Sequence, residues 1–411
     1  MSPTAREELQ GGAGHPGAAS AYDPDDGTGY IIVYDYECPR EMHDSCPFAP
    51  IVKGEIDGVT KLYPTLEAQE GYVSSLGLLV RYLRKGVRVT KLHRVWAFDQ
   101  SPYLREHFEY LGRVRAESAE PAIKQACKIA AVSVYGCTLE NKRDRKGLAL
   151  YLNPYKYELD VAKNWKPGHR AWVQYMDERT NTFVAYRERS IAKGVCLDTP
   201  RLVGWAVLMH AKCHMYDFDD TIRSICRHPP TLLYTDTNSM IYHFHGESCP
   251  YELMRRSPQT FDFKNGKYLG WQQTGREGTL GLFKNECFAE TEDGEPCESV
   301  ITEFVASEAK TYSYRTTTLV GRQRELLEDK PTTKCKGVPK SCVKQSVRFE
   351  DVYRAALGGE KHEVEFKAIR MSRTEPGHRT IKKVAFRGNN TKVCRLEDNS
   401  CVPLGHYKSQ A

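Results

Sequence analysis

At 411 residues, with 40% hydrophobic side chains and a formal net charge of +6, the chain is long enough for two or three domains and mildly basic. No apolar run approaches the roughly eighteen residues that a membrane helix needs, which excludes a helical span and a membrane partner. The fourteen cysteines contain no Cys-x-x-Cys spacing and follow no signal peptide, so neither a zinc ribbon nor a disulfide framework is expected. A reducing, intracellular setting fits them, whether nucleus or cytoplasm.

In chain order, residues 1–28 are rich in Gly, Ala, Pro and acids without a period, and are expected to be disordered. Residues 29–36 read as a strand. Between 67 and 84 the spacing of Tyr72, Val73, Leu76, Leu79, Val80 and Leu83 predicts a helix closed by Gly86, and Ser101-Pro102 opens another to about residue 115. Residues 122–134 again carry helical spacing, with Gly136 as the stop; Lys124 and Lys128 share one face a turn apart and suit a triphosphate. Residues 142–200 are turn-rich, with short aromatic strands at 172–175 and 183–186. A long apolar helix follows at 202–218, on which His210, Cys213 and His214 are read as packing residues rather than zinc ligands. Next comes LLYTDTNSMIY at 232–242, two apolar, β-prone runs around the polar tip Asp236-Thr237-Asn238. A hairpin of that kind lifts a carboxylate to the end of a sheet, where it can hold a metal. A strand at 301–305 precedes Lys310-Thr311-Tyr312, and from 319 onward the chain reads as helical, then basic and irregular. Lys334, Lys336, Lys340 and Lys344 form one cluster without a carboxylate, and residues 367–395 hold nine Lys or Arg against Glu375 alone. Such stripes suit a duplex backbone.

Read as Tyr-x-Asp-Thr-(Asp)-Ser, residues 234–239 resemble the metal-binding palm hairpin of family B DNA polymerases, with Asn238 where the family has its second Asp. Residues 128–136 resemble the family's Lys-x-x-x-Asn-Ser-x-Tyr-Gly motif through Lys128, Ser133, Tyr135 and Gly136, with Val132 in place of the asparagine. GLFKNE at 281–286 resembles the Gly-x-Phe-Lys-(Asp)-Glu element of the protein-primed viral and transposon branch, and Lys310-Thr311-Tyr312 the Lys-x-Tyr element that steadies the primer terminus. Segments 29–50, 92–102, 215–218 and 334–340 look like the same branch, and the motifs stand in the family's order.

The resemblance implies an α+β, right-hand polymerase core with a partial palm built on an antiparallel sheet, helical fingers and a thumb, lacking the exonuclease domain and the first palm motif. Its divisions would be a disordered 1–28, a region before the fingers at 29–118, the fingers motif helix at 119–145, an insertion-like segment at 146–199, the palm at 200–318 and the thumb at 319–411. It implies a DNA-directed DNA polymerase acting on primer-template DNA and deoxynucleoside triphosphates, with Mg²⁺ as cofactor and a priming protein as partner. Asp236 and Asn238 would stand at the catalytic centre, Asp236 as the metal ligand. Lys124, Lys128 and Tyr135 would meet the nucleotide. Lys284, Lys310, Tyr312, Lys334, Lys336, Lys340 and Lys344 would meet DNA.

The departures from the family matter as much. Its first motif, Asp-x-x-Ser-Leu-Tyr-Pro, is missing: residues 61–65 imitate its end, but position 58 is Gly and Asp57 is out of register. The chain is therefore expected to begin downstream of that motif. Asn238 offers an oxygen but no charge. A unit charge and a dication about 4 Å apart interact by roughly 8 kcal/mol at an effective dielectric near 20, and losing even a third of that slows a reaction about a hundredfold. The expected activity is thus that of a fragmentary or degenerate polymerase, silent on its own. The rival expectations are a non-catalytic DNA-binding remnant and a split gene whose upstream exon supplies the first motif; Asn238 and Val132 favour decay.

Overall fold

The computed structural model describes residues 27–46, 48–141, 147–151, 154–164, 170–177, 182–189, 198–247, 250–263, 275–276, 278–290, 296–320, 325–328, 331–371, 376–388 and 390–409. Helices and strands are mixed along it, as the α+β expectation requires, and among the described residues its strand pairs are antiparallel with one exception. The expected disordered segment 1–28 lies almost wholly outside the described residues.

β1 (Thr28–Glu37) is the expected first strand and the centre of a three-stranded sheet, between β4 (Gln69–Ser75) and β5 (Arg88–Asp99). Its alternation buries Ile32, Tyr34 and Tyr36 on one face. β2 (Ile51–Ile56) and β3 (Val59–Pro64) form a hairpin around Asp57-Gly58, whose φ angles of 53° and 70° are those of a two-residue turn that favours this dipeptide. Asp57 is therefore a turn residue, ion-paired to Lys61 at 3.6 Å. The single helix expected over 67–84 is corrected. Tyr72 and Val73 pair with Tyr34 and Val33 in the sheet, and only then does α1 (Leu76–Arg84) begin, with the Ser75 hydroxyl accepting the Leu78 N–H at 3.3 Å.

α2 (Arg105–Glu117) and α3 (Pro121–Thr138) form a helical pair; α2 buries no residue and α3 only Cys127 and Thr138. α3 passes two residues beyond the expected stop at Gly136. The turn-rich region contains β6 (Gly147–Tyr151), an unforeseen helix α4 (Pro154–Asn164), β7 (Arg170–Asp177) and β8 (Thr182–Arg189), with β8 central in a three-stranded sheet. The two aromatic strands expected there lie in β7 and β8.

α5 (Arg201–Ile225) is the organising element, 25 residues or about 37 Å long. Near its start, a Cβ on Gly204 would come within 2.4 Å of the Thr138 hydroxyl, so glycine is what lets the end of α3 lie directly on it. In its middle, Met209, Cys213 and Tyr216 join Ile32, Tyr34, Leu78, Leu79 and Tyr82 in one core. Arg81 of α1 grips both carboxylate oxygens of Asp217, at 2.8 and 2.5 Å.

After α5 come β9 (Thr231–Asp236) and β10 (Ser239–His243), α6 (Pro250–Arg256), and β11 (Phe261–Asp262) paired in parallel with β12 (Phe283–Lys284). A five-stranded sheet follows: β13 (Phe288–Glu290), β14 (Pro296–Glu308), β15 (Thr311–Val320), β16 (Glu325–Glu328) and β17 (Thr332–Lys334). The helix expected from 319 is corrected, because the β-branched and aromatic run of β15 continues to Val320 and pairs onward with β16. α7 (Lys340–Ser346) and α8 (Phe349–Gly358) do supply helices later. They pack through Val343, Phe349, Val352 and Ala355 on Val364 and Phe386. The basic stretch expected to be irregular is a long hairpin, β18 (His362–Met371) with β19 (Pro376–Phe386). β20 (Val393–Arg395) and β21 (Cys401–Pro403) close the order, and the chain then returns to its start: the Leu66 N–H donates to Leu404 O at 2.8 Å. Among the described residues no helix is long and apolar enough to cross a membrane.

Candidate functional site

The expected hairpin forms between β9 and β10, with one adjustment. Asp236 is the last residue of its strand, opposite Ser239, and only Thr237 and Asn238 make the turn. Thr237 has φ 59°, and the Asn238 N–H donates to Asp236 O at 2.6 Å across it. A β-branched residue at positive φ inside so tight a turn is strained, a conformation that persists only where its surroundings enforce it. Alternation along β9 puts Leu232, Tyr234 and Asp236 on one face, each partly buried.

α5 holds this hairpin from behind, through Phe218 and Ile222 against Met240 and Tyr242. The Tyr242 hydroxyl donates to Asp219 Oδ1 at 2.9 Å. Asp219 is fully buried; its other oxygen accepts from Arg223 Nε at 2.9 Å, and the Lys85 ammonium stands 3.8 Å away. That pairing is what makes a buried carboxylate tolerable. Burial, followed by the Asp219 charge, pushes the Tyr242 phenol far above its ordinary range. The GLFKNE segment rests on the same helix. His214 Nε2–H donates to Gly281 O at 2.9 Å, and its ring stacks on Phe283, which also lies on Phe218 with centroids 3.6 Å apart. His214 and the buried Cys213 thus pack and bond locally, as expected.

The third segment closes over the hairpin. Ala309 and Lys310 form the turn between β14 and β15, with Lys310 at φ 63°. The Lys310 ammonium lies 2.6 Å from Asp236 Oδ2, and its backbone N–H donates to the Tyr234 hydroxyl at 2.8 Å. The Tyr234 and Tyr312 rings are 4.8 Å apart, with Phe304 beside both. Asp236, by hydrogen bond and by charge, holds the Lys310 ammonium above the usual lysine range. The Tyr312 phenol is raised by burial first, then by nearby groups that include the Asp236 and Glu286 carboxylates. Asp236, Lys310 and Tyr312, read from motifs far apart in the sequence, therefore meet. Tyr234 and Asp219 were not among the predicted site residues. Tyr234 was legible as the residue two positions before Asp236, hence on its face; Asp219 carried no signal.

The basic cluster adjoins this meeting point. β17 pairs with β15 so that Lys334 lies directly opposite Tyr312, on the same face of the sheet. Lys336 follows in the next turn, and Lys340 and Lys344 are one helical turn apart on α7; all four are exposed, and none forms an ion pair among the described residues. Lys383 joins them, its ammonium donating to Lys336 O at 2.5 Å. Lys284 is exposed at the end of β12. The predicted nucleotide residues lie elsewhere: Lys124 and Lys128 are exposed on α3 and Tyr135 is partly buried. Among the described residues, none of the three side chains bonds to the hairpin.

The donors suit Mg²⁺ poorly. That ion is commonly held by one or two carboxylates plus substrate phosphates in a near-ideal octahedron. Here the hairpin offers one carboxylate, already bonded to an ammonium, and a neutral amide, and among the described residues no three His, Cys, Asp or Glu side chains converge as metal ligands.

No family model matches the chain, and no curated protein does. Among solved structures, the chain is similar to Phi29 DNA polymerase complexed with primer-template DNA and incoming nucleotide substrates, a ternary complex, at 14% identity and a TM-score of 0.48. The match covers 89% of this chain and 52% of that one, so this chain spans about half the polymerase's length. A likeness of that degree decides nothing about chemistry.

Proposed function

We propose that this chain is the DNA-gripping part of a protein-primed-type family B DNA polymerase whose catalytic centre has decayed, and that it binds primer-template duplex without transferring nucleotides on its own. The observation that carries the reading is the group of lysines beside Lys310 and Tyr312, with Lys334 opposite Tyr312, Lys383 bonded to Lys336 O, and Lys340 and Lys344 a turn apart on α7, none of which has a carboxylate partner among the described residues. Exposed, unpaired ammonium groups in a row suit a phosphate backbone, which sets affinity and makes it depend on salt. Lys124, Lys128 and Tyr135 are assigned to nucleotide recognition on the motif alone, and a priming protein is the partner this branch would supply.

Template-directed synthesis is the second reading, favoured by the meeting of the Asp236 hairpin with Lys310 and Tyr312. Primer extension separates the two, and a salt titration tests the duplex binding they share. Duplex affinity of the purified chain should fall roughly 500-fold between 50 and 200 mM salt if about five phosphates are neutralised. Primer extension should stay at background with Mg²⁺ or Mn²⁺, for the chain as it is and for Asn238→Asp, and should need a supplied segment bearing the first-motif Asp together with Asn238→Asp. Robust extension by the unmodified chain would overturn the account of decay. Salt-insensitive or undetectable duplex binding would overturn the DNA-binding reading.

A further inference from the structure

We propose that the Lys310 ammonium is the resident cation of the Asp236 hairpin, so that this site engages a nucleic-acid phosphate through lysine and not through a divalent metal ion. The inference rests on the DNA-binding reading for its ligand, but the contact that carries it is internal to the chain. Lys310 Nζ stands 2.6 Å from Asp236 Oδ2, and the other carboxylate oxygen accepts the Thr237 hydroxyl at 3.1 Å. Both oxygens are engaged.

The arrangement is enforced by the backbone. Of the four described non-glycine residues with positive φ, two, Thr237 and Lys310, are the turn residues of these two facing hairpins. Strain of this kind gathers where a fixed geometry matters more than local comfort. The Tyr234 hydroxyl accepts the Lys310 N–H at 2.8 Å, and its ring packs on Tyr312, so the stem of the lysine is held over the hairpin whatever its ammonium touches. A dication at Asp236 would have to displace that ammonium and then stand beside it, and Asn238 supplies no second charge to compensate. The Lys310 side chain is more than half exposed, and with one N–H on Asp236 its ammonium keeps two for a phosphate oxygen. Lys334, opposite Tyr312, adds positive charge along the same line.

The test uses the full chain, with Mn²⁺ binding followed by electron paramagnetic resonance and duplex binding followed by fluorescence anisotropy in EDTA or in Mg²⁺ at matched ionic strength. Wild-type duplex affinity should agree within about twofold in the two buffers, whereas Lys310→Met should weaken it several-fold in both. Lys310→Met should also raise Mn²⁺ affinity by about fivefold, the scale of a half-exposed ion pair, and adding Asp236→Asn should cancel the gain. Two results would overturn the proposal: a Mn²⁺ site in the wild-type chain that Asp236→Asn abolishes and Lys310→Met leaves unchanged, or duplex binding that collapses in EDTA. If the chain bound no duplex in either buffer, the DNA-binding reading would fail, while the Mn²⁺ arm would still decide who holds Asp236.

Discussion

The facing hairpins and the lysine surface beside them are built on opposite terms. At the hairpins the carboxylates are answered: Asp236 by Lys310, and behind them Asp219 by Arg223 and Lys85. On the surface Lys334, Lys336, Lys340 and Lys344 are exposed without a carboxylate among the described residues. The first region spends its polar groups on holding its own geometry, apart from the two N–H groups that Lys310 keeps free of Asp236, so changing its buried members should disturb the fold. The second keeps them for an outside partner, so changing it should disturb binding and leave the fold alone.

The most damaging change should be Asp219→Ala, which removes the buried partner of Arg223 and of the Tyr242 hydroxyl, while Lys85 keeps its ion pair with Asp220. Breaking a buried ion pair from one side costs about 3–5 kcal/mol, and urea unfolding should show a loss of that size. A loss under about 1 kcal/mol would mean that the hairpin does not depend on α5. Next, Lys334, Lys336, Lys340 and Lys344 changed together to Ala should leave the unfolding midpoint nearly unmoved while the slope of log affinity against log salt falls by about 3.6. If stability dropped and the slope did not, the contrast between the regions would be wrong.

Smaller effects sharpen the comparison. Thr237→Gly removes a β-branched side chain from φ 59° and should stabilise the chain by about 1 kcal/mol; destabilisation would show that the turn is not strained. The smallest effect serves as a control outside both regions. His406 is 2% exposed, its Nδ1 accepts the Lys408 N–H at 3.2 Å, and burial followed by the neighbouring His43 charge lowers its pKa from 6.5. A group whose folded pKa is depressed contributes stability that is present above its unfolded value and lost as pH falls through the folded one. Hydrogen-exchange protection at residues 404–409, corrected for the pH dependence of intrinsic exchange, should therefore fall below about pH 6.5, with the lysine surface unaffected. Corrected protection that rises on acidification would reverse the sign.

Much of the local structure was legible. Residues 29–36 and 301–305 are strands, Asp236 ends its strand with Asn238 in the two-residue turn beside it, and helices arose where apolar spacing was sustained, as in α3 and α5. The failures share a cause. Tyr72 and Val73 fit a helical stripe as readily as a strand until β1 is there to pair with them, and residues 319–320 and 325–328 are strand because β15 and β16 found each other. The hairpin of β18 and β19 was hidden in the same way, since a basic stretch shows little apolar contrast to read.

What the sequence by itself determined is the chemistry on offer: one carboxylate and one amide at a hairpin end, a Lys-x-Tyr turn, and a run of lysines without acids. Those follow from residue identity and short-range spacing. Only the tertiary structure decided that Lys310 would sit on Asp236, that Tyr234 would hold it there, that Lys334 would lie opposite Tyr312, and that Asp219 would anchor the hairpin from a buried position. Each of these joins residues from separate elements, through strand register or through packing on α5. No periodicity within one segment encodes such a contact, because its free energy exists only once both partners have been brought together.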